Sequence, residues 1–383
     1  MKLAARRIVA GRETLDGWVE LDGGRITHVT ASGPPPDATD LGDAVLVPGY
    51  VDIHVHGGGG ATMTTGDPEL VATAAAFHRT HGTTTTLASL VTAPLDALLS
   101  ASQRIAAMID SGGTNPGAVN PVGIHLEGPF LATRRCGAQN PAHMIDPTPD
   151  AVDALIEAGG GHLRQVTIAP ERPGAIDAIG RFVAADVVAA IGHTDANTAE
   201  TSAAIAAGAT LATHLGNAMS PLHHREPGPI GACLAAAGVT CELIADGHHL
   251  HPTMIAMAAA AKGPDRFALI TDAIRAAGAG DGSYLLGELS VEVVGGVARL
   301  TAGGALAGST LTMDRAVANA VSAGVPLVDA VTAATATPAR VIGLSGEIGT
   351  IAAGKHADLV VLNRDLTVRA VIAAGEVVAG SLT

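Results

Sequence analysis

The chain has 383 residues, 48% of them apolar and only 2% aromatic, so its large core must be assembled from Ala, Val, Leu and Ile. A formal net charge of −14 excludes a general nucleic-acid surface, which needs a basic face, and no apolar run reaches the roughly 18–20 residues of a membrane span. The three cysteines, Cys136, Cys233 and Cys241, form no CxxC pair, and a sparse odd count fits a reducing cytoplasm better than a disulfide framework.

In chain order, Met1–Ala10 carries three basic residues but neither the apolar segment nor the cleavage site of a signal peptide. Met1–Leu41 reads as short alternating strands turning at Asp16-Gly17 and Asp22-Gly23-Gly24, with a loop at Gly33–Pro36. From Val45 onward β-rich runs alternate with Ala-rich helical stretches. Strands are predicted at Val45–Val55, Thr83–Val91, Val122–Leu126, Gln165–Ala169, Val187–Ile191, Thr210–Thr213, Thr240–Ile244 and Phe267–Thr271. Helices are predicted at Pro68–Thr80, Leu95–Asp110, Pro149–Ala158, Ala196–Ala207 and Pro252–Lys262, with Asp67-Pro68 and His251-Pro252 among the start signals that place Pro at a first helical position. A hairpin, Leu286–Leu300, should turn at Gly295-Gly296. Ala357–Leu362 and Ala370–Val378 read as closing strands.

Alternating strands and helices predict a parallel sheet with right-handed crossovers, and eight repeats can close it into a TIM-like (β/α)₈ barrel. Neither end of the chain could bury its apolar side alone, so the two ends are expected to pair into a small β-sandwich. The expected division is residues 1–44 plus 352–383 for that unit and 45–351 for a metal-dependent catalytic barrel.

In such a barrel the reacting groups sit at the carboxyl ends of the strands. Here those ends carry His54-Val55-His56, His125-Leu126-Glu127, Gly192-His193, Thr213-His214, Asp246-Gly247-His248-His249 and Thr271-Asp272. Residues i and i+2 of a strand face one side, so His54 and His56 point together toward the barrel axis. Imidazoles converging with a carboxylate match the donor preference of Zn²⁺ and similar ions. Any one of these histidines alone would be read as a core or loop residue. Their independent arrival at one rim argues for a site. Asp272 follows the apolar run Phe267-Ala-Leu-Ile, and a carboxylate at that depth is costly unless a cation, a proton or donors accompany it.

At this point the sequence resembles the amidohydrolase superfamily and, within it, the N-acetylglucosamine-6-phosphate deacetylases, over nearly the whole chain. The resemblance rests on Pro48-Gly49-Tyr50-Val51-Asp52-Ile53-His54-Val55-His56-Gly57, His125-Leu126-Glu127-Gly128-Pro129-Phe130, Gly192-His193-Thr194 and His214-Leu215-Gly216-Asn217-Ala218-Met219. It continues through Arg225-Glu226-Pro227-Gly228, Ala245-Asp246-Gly247-His248-His249, Thr271-Asp272-Ala273 and Gly354-Lys355-His356-Ala357-Asp358-Leu359. The resemblance implies a divalent metal, one or two per subunit, with zinc the first choice and iron, manganese, cobalt or cadmium as alternatives. Glu127, His193 and His214 would hold the principal ion, and His54 with His56 a second, Glu127 bridging. Asp272 would act as general base and then general acid, and His249 would position the acetyl carbonyl. Substrate contacts would come from Ala138, Asn217, Ala218 and the backbone at Leu306-Ala307-Gly308. Arg225 would reach the phosphate of an amino-sugar phosphate across a homodimer interface. Gln139 stands where some members carry a histidine, and His143 is not its replacement.

Two rivals remain at this stage. A cyclic amidase such as a dihydroorotase or hydantoinase uses a carboxylated lysine at the fourth strand end, but Gln165–Glu171 contains none. A non-catalytic sugar-phosphate-binding barrel has no use for Asp272, which serves proton transfer rather than affinity. Cys136, in the loop Thr133–Gln139, reads as an ordinary loop thiol.

Overall fold

Eight parallel strands follow one another around a barrel in the computed structural model, which describes residues 1–112 and 121–382; Thr383, the last residue of the expected terminal unit, lies outside them. The strands are Tyr50–Asp52, Thr83–Val91, Gly123–Glu127, Leu163–Ile168, Val188–Ile191, Leu211–Ala212, Thr240–Ile244 and Phe267–Ile270. Each pairs in parallel with its sequence neighbour. The ring closes between first and eighth just beyond the strands: the Asp272 N–H donates to the His54 carbonyl (2.8 Å) and the His56 N–H to the Ala273 carbonyl (2.8 Å). Asp52 completes the seam by accepting from the Thr271 hydroxyl (2.6 Å). Closure and catalytic rim are therefore one structure.

Helices lie outside the strands, and their small buried residues let them approach closely. Asp67 caps Pro68–Thr80 through the N–H groups of Glu69 and Leu70. The helix predicted over Ala196–Ala207 runs over Thr198–Ala206, because Asn197 and Glu200 form a reciprocal capping box that sets its start. Most of the buried aliphatics belong to one core between strands and helices. Phe182 and Phe130 are buried there with ring centroids 6.2 Å apart. Truncating Phe182 to Ala would cost about 3–5 kcal/mol.

The run predicted as one strand, Val45–Val55, is divided. Val45–Pro48 pairs with Lys2–Ala10 and with Leu359–Leu362, whereas Tyr50–Asp52 pairs with Thr83–Val91 in the barrel. Gly49 marks the change, since a Cβ there would lie 2.1 Å from Thr84 Oγ1. Both chain ends share an eight-stranded sheet. It is one rolled sheet whose halves face each other: the turn into its edge strand Arg25–Thr30 meets the segment ahead of Leu359–Leu362, where Ile26 N–H donates to the Lys355 carbonyl and Ala357 N–H to that of Gly24, each at 2.9 Å. Leu3, Ile8, Val19, Leu46, Leu359 and Ile372 fill the roll. Val9, Val45, Val47, Val360 and Leu362, on the other face, join the barrel core.

The predicted hairpin gains a third strand, Gly282–Leu286, ahead of Leu289–Val294 and Val297–Leu300. Gly295 and Gly296 both take positive φ, 59° and 78°, as a tight two-residue hairpin turn demands, and Asp281 accepts from both N–H groups. Apolar residues of this meander pack with Val91, Ile274 and Ala307 over the barrel mouth. Among the described residues no helix is long and apolar enough to cross a membrane.

Candidate active site

Two groups of three donors converge at the rim: His54, His56 and Asp272, and Glu127, His193 and His214. The Glu127 carboxylate lies between them. Its Oε1 is 3.0 Å from Nε2 of both His193 and His214 and 3.5 Å from Nε2 of His54. Its Oε2 is 3.2 Å from Nε2 of His56. Asp272 Oδ1 stands 3.2 Å from His56 Nε2 and 3.5 Å from His54 Nε2. The backbone is bent to bring these groups inward, for His193, His214, Ala218 and Asp272 all have positive φ, between 27° and 49°. A non-glycine residue held there costs on the order of 1 kcal/mol or more, and such strain concentrates at functional sites.

All four imidazoles turn Nε2 into the site, and hydrogen bonds behind them account for three. His54 Nδ1 faces Glu242 Oε2 (3.1 Å), His56 Nδ1 the Ser89 carbonyl (3.1 Å) and His193 Nδ1 the Arg135 carbonyl (2.9 Å). Each of those partners can only accept, so Nδ1 carries the proton and Nε2 offers its lone pair inward. This donor set fits a divalent metal held by imidazole Nε2 and carboxylate oxygen. His125 is different: its two nitrogens are engaged by the hydroxyls of Ser89 (3.0 Å) and Thr167 (2.9 Å), so it supports the site without facing it.

The electrostatics agree. Burial opposes a charge on His54, but the Asp272 and Glu127 carboxylates outweigh it and hold the proton well above the ordinary imidazole range. His56, similarly buried and bonded to the same two carboxylates, is lifted to about 9. Burial also opposes the Glu127 charge, and the surrounding histidines reverse that, keeping the carboxyl well below its usual range. A divalent cation competes with those protons for the same lone pairs, so its binding releases them.

Outward from the donors a cavity of about 200 Å³ is walled by Ala138, Asn217, Ala218, His249, Leu306 and Gly308, with Asp272 on its inner side. His249 gives Nδ1 to Asp246 (2.6 Å), leaving Nε2 for the cavity. At Gly308, φ is +58° and a Cβ would lie 2.8 Å from the Asp272 carbonyl, so only glycine lets this strand-like strap lie against Asp272. Ala307 points away, its methyl in the cluster under the meander and its N–H on the Ala298 carbonyl. His54 sits behind the cavity wall. Arg225 is exposed on its loop, its guanidinium against His224 Nε2 (2.8 Å), and it does not line the cavity of its own chain.

The sequence left several supporting residues without a role. Gln139 is buried, donates its amide to Glu127 Oε2, and accepts from the Thr92 N–H (2.8 Å). Glu242 and Gln165 lie beneath the donors; a lone carboxylate inside Thr240–Ile244 was a signal available in the sequence. His125, two residues before Glu127 on one strand face, was another. At the fourth strand end Glu171 accepts from the Thr194 hydroxyl and the Asp195 N–H, which makes it a loop tie rather than a ligand.

A (β/α)₈ barrel whose rim joins an H-x-H pair, two further histidines, a shared glutamate and an aspartate after the eighth strand defines a metal-dependent hydrolase of the amidohydrolase class. The chain belongs to the amidohydrolase family, which it matches over residues 45–378. It is 39% identical over 378 residues to N-acetylgalactosamine-6-phosphate deacetylase of Escherichia coli O157:H7, covering 98% of both chains. It is 37% identical to N-acetylglucosamine-6-phosphate deacetylase of Bacillus subtilis (97% of this chain, 95% of the relative). Among solved structures, N-acetyl-D-glucosamine-6-phosphate deacetylase of Mycobacterium smegmatis superposes with a TM-score of 0.94 at 46% identity, covering 99% of this chain and 100% of that one. A variant of that enzyme, in complex with N-acetyl-D-glucosamine-6-phosphate, gives a TM-score of 0.95, with 99% of each chain covered.

Proposed function

We propose that this chain hydrolyses the acetamide of N-acetylglucosamine 6-phosphate, releasing acetate and glucosamine 6-phosphate. The observation that carries the reading is the position of Asp272. It touches the histidine donors and also walls the cavity, so one carboxylate stands between the metal-binding groups and the substrate space. Glu127, His193 and His214 would hold the principal ion, zinc by donor preference, and His54 and His56 a second. A bound divalent ion supplies an acidified water and a positive field for the developing oxyanion.

The protein's own groups do the rest. Asp272 takes one proton from the attacking water and returns it to the nitrogen as the C–N bond breaks, so that a neutral amine and acetic acid leave, the acid then ionising to acetate and releasing the water's other proton. His249, steadied by Asp246, turns Nε2 toward the acetyl group, and with a proton on that nitrogen as well it would donate to the carbonyl oxygen. Ala138, Leu306 and Gly308 bound the sugar, and Asn217 and the Ala218 backbone face its phosphate. Arg225 completes the phosphate site of a neighbouring subunit in a homodimer; its exposed guanidinium, outside its own cavity, supports that role. Three unpaired cysteines support a cytoplasmic setting.

The test is acetate release by the metal-loaded protein from N-acetylglucosamine 6-phosphate, its galactosamine epimer and unphosphorylated N-acetylglucosamine. The reading expects kcat/KM to be highest on the first and at least about tenfold lower without the phosphate, the loss of one or more charge-assisted bonds. The 39% identity to an enzyme named for the galactosamine epimer favours that sugar as the second reading. A higher kcat/KM on the epimer would adopt it, and no acetate from either phosphate ester would overturn both.

A further inference from the structure

We infer that Glu242 is a positioning residue for the second metal: it makes His54 a fixed Nε2 donor and thereby gives the His54/His56/Asp272 group its affinity for a divalent cation. The inference rests on the reading that both donor groups take metal.

Glu242 sits at the middle of the seventh barrel strand, Thr240–Ile244, between the buried Cys241 and Leu243. Its side chain is wholly inaccessible, at 0% exposure. A carboxylate so deep is tolerated only when its oxygens are satisfied by donors, and three converge on it. Gln165 Nε2 donates to Oε1 (2.9 Å), and Oε2 receives the His214 backbone N–H (3.2 Å) and the His54 ring Nδ1 (3.1 Å). Because a carboxylate only accepts, the His54 proton is confined to Nδ1. Its Nε2 lone pair then meets His56 Nε2 at 3.2 Å.

The other imidazoles are backed differently. Those of His56 and His193 rest on neutral carbonyls, and His214 Nδ1 has no hydrogen-bond partner among the described residues. Only His54 has a full negative charge behind it. A carboxylate behind a ligating imidazole fixes its tautomer, raises its donor strength and offsets the cation's charge. That support is directed at one of the two centres.

The Glu242→Gln variant removes the charge with little change of shape. Its amide oxygen can keep the His54 and His214 bonds. Its NH₂ would then face Gln165, whose Oε1 now lacks a partner and can accept after an amide flip. The fold should therefore survive, which a thermal melt of the metal-free protein checks.

Chelator-stripped parent and variant would be titrated with Co²⁺, following heat and the visible ligand-field absorption, with elemental analysis after dialysis. The parent should take up two equivalents. In Glu242→Gln the first should bind as in the parent and the second about 10–100-fold more weakly, the usual effect of losing an outer partner of a ligand. In a His54→Asn background Glu242→Gln should change nothing further, since it acts through that ring. Equal weakening of both equivalents, a second equivalent within about twofold of the parent, or an added effect in the His54→Asn background would each overturn the inference. A parent that binds only one equivalent would overturn it too, by removing the two-metal reading beneath it.

Discussion

The inner end of the cavity and the outer loop that carries Arg225 are built on opposite plans. At the inner end His54, His56, Glu127, His193, His214 and Asp272 come from strand ends of a closed barrel, all are buried, and most of their outer atoms are tied to backbone or to a second layer of polar side chains. Outside the cavity Arg225, proposed above to serve a neighbouring subunit, stands exposed on a loop against His224. The difference teaches where rigidity is needed. Bond breaking requires groups held to within a fraction of an ångström, which a packed scaffold provides. A group that only binds, the role proposed for Arg225, tolerates a loop.

The inner end should break most completely at Glu127, which both donor groups share. Glu127→Gln is expected to lose metal from both centres and with it detectable turnover. Undiminished metal by elemental analysis would show that the glutamate is not the common ligand. Asp272→Asn separates holding from reacting at the same end: metal should remain in the Glu127 group while kcat falls by about 10²–10⁴, the scale of a lost acid–base group. A loss within tenfold would assign proton transfer elsewhere.

The outer loop should respond with specificity instead. Arg225→Ala is expected to lower kcat/KM on the phosphorylated sugar roughly 10–10³-fold and to leave the slow reaction on the unphosphorylated one almost unchanged. Mixing Arg225→Ala with Asp272→Asn subunits should restore part of the activity, because one hybrid site would hold both intact residues. Equal losses on the two substrates, or no recovery once subunit exchange is confirmed, would make the two regions a single unit.

A smaller effect, on stability, belongs to the prop behind the H-x-H loop. His78 Nε2 donates to the Gly57 carbonyl (2.9 Å), and burial lowers its pKa from 6.5 to about 4. Above 6.5 the ring is neutral in folded and unfolded chains alike and pH has no effect through it. As pH falls below 6.5 the unfolded chain binds a proton that the folded one refuses until about 4, so stability drops across that window. Between pH 7 and pH 5 the drop through this one group is about 2 kcal/mol. Urea midpoints for the parent and His78→Asn at both pH values should differ in slope by that amount, and identical slopes would remove His78 from the acid response.

The sequence by itself determined the barrel and which imidazoles and carboxylates arrive at its rim. Strand and helix periodicities are local properties, and an imidazole or carboxylate that ends an apolar run must emerge at the rim once the run is buried. It did not determine how the first run is divided, because Val45–Pro48 and Tyr50–Asp52 both read as strand and only the pairing partners distinguish them. Nor did it single out Ala307 as turned away or Glu242 as a prop. Alternation along Thr240–Ile244 says which side Glu242 faces; only the closed barrel sets His54, 188 residues earlier in the chain, within hydrogen-bonding distance of it. Local patterns select faces and ends. Which faces meet is decided by closure of the ring, and that depends on the packing of all eight strands at once.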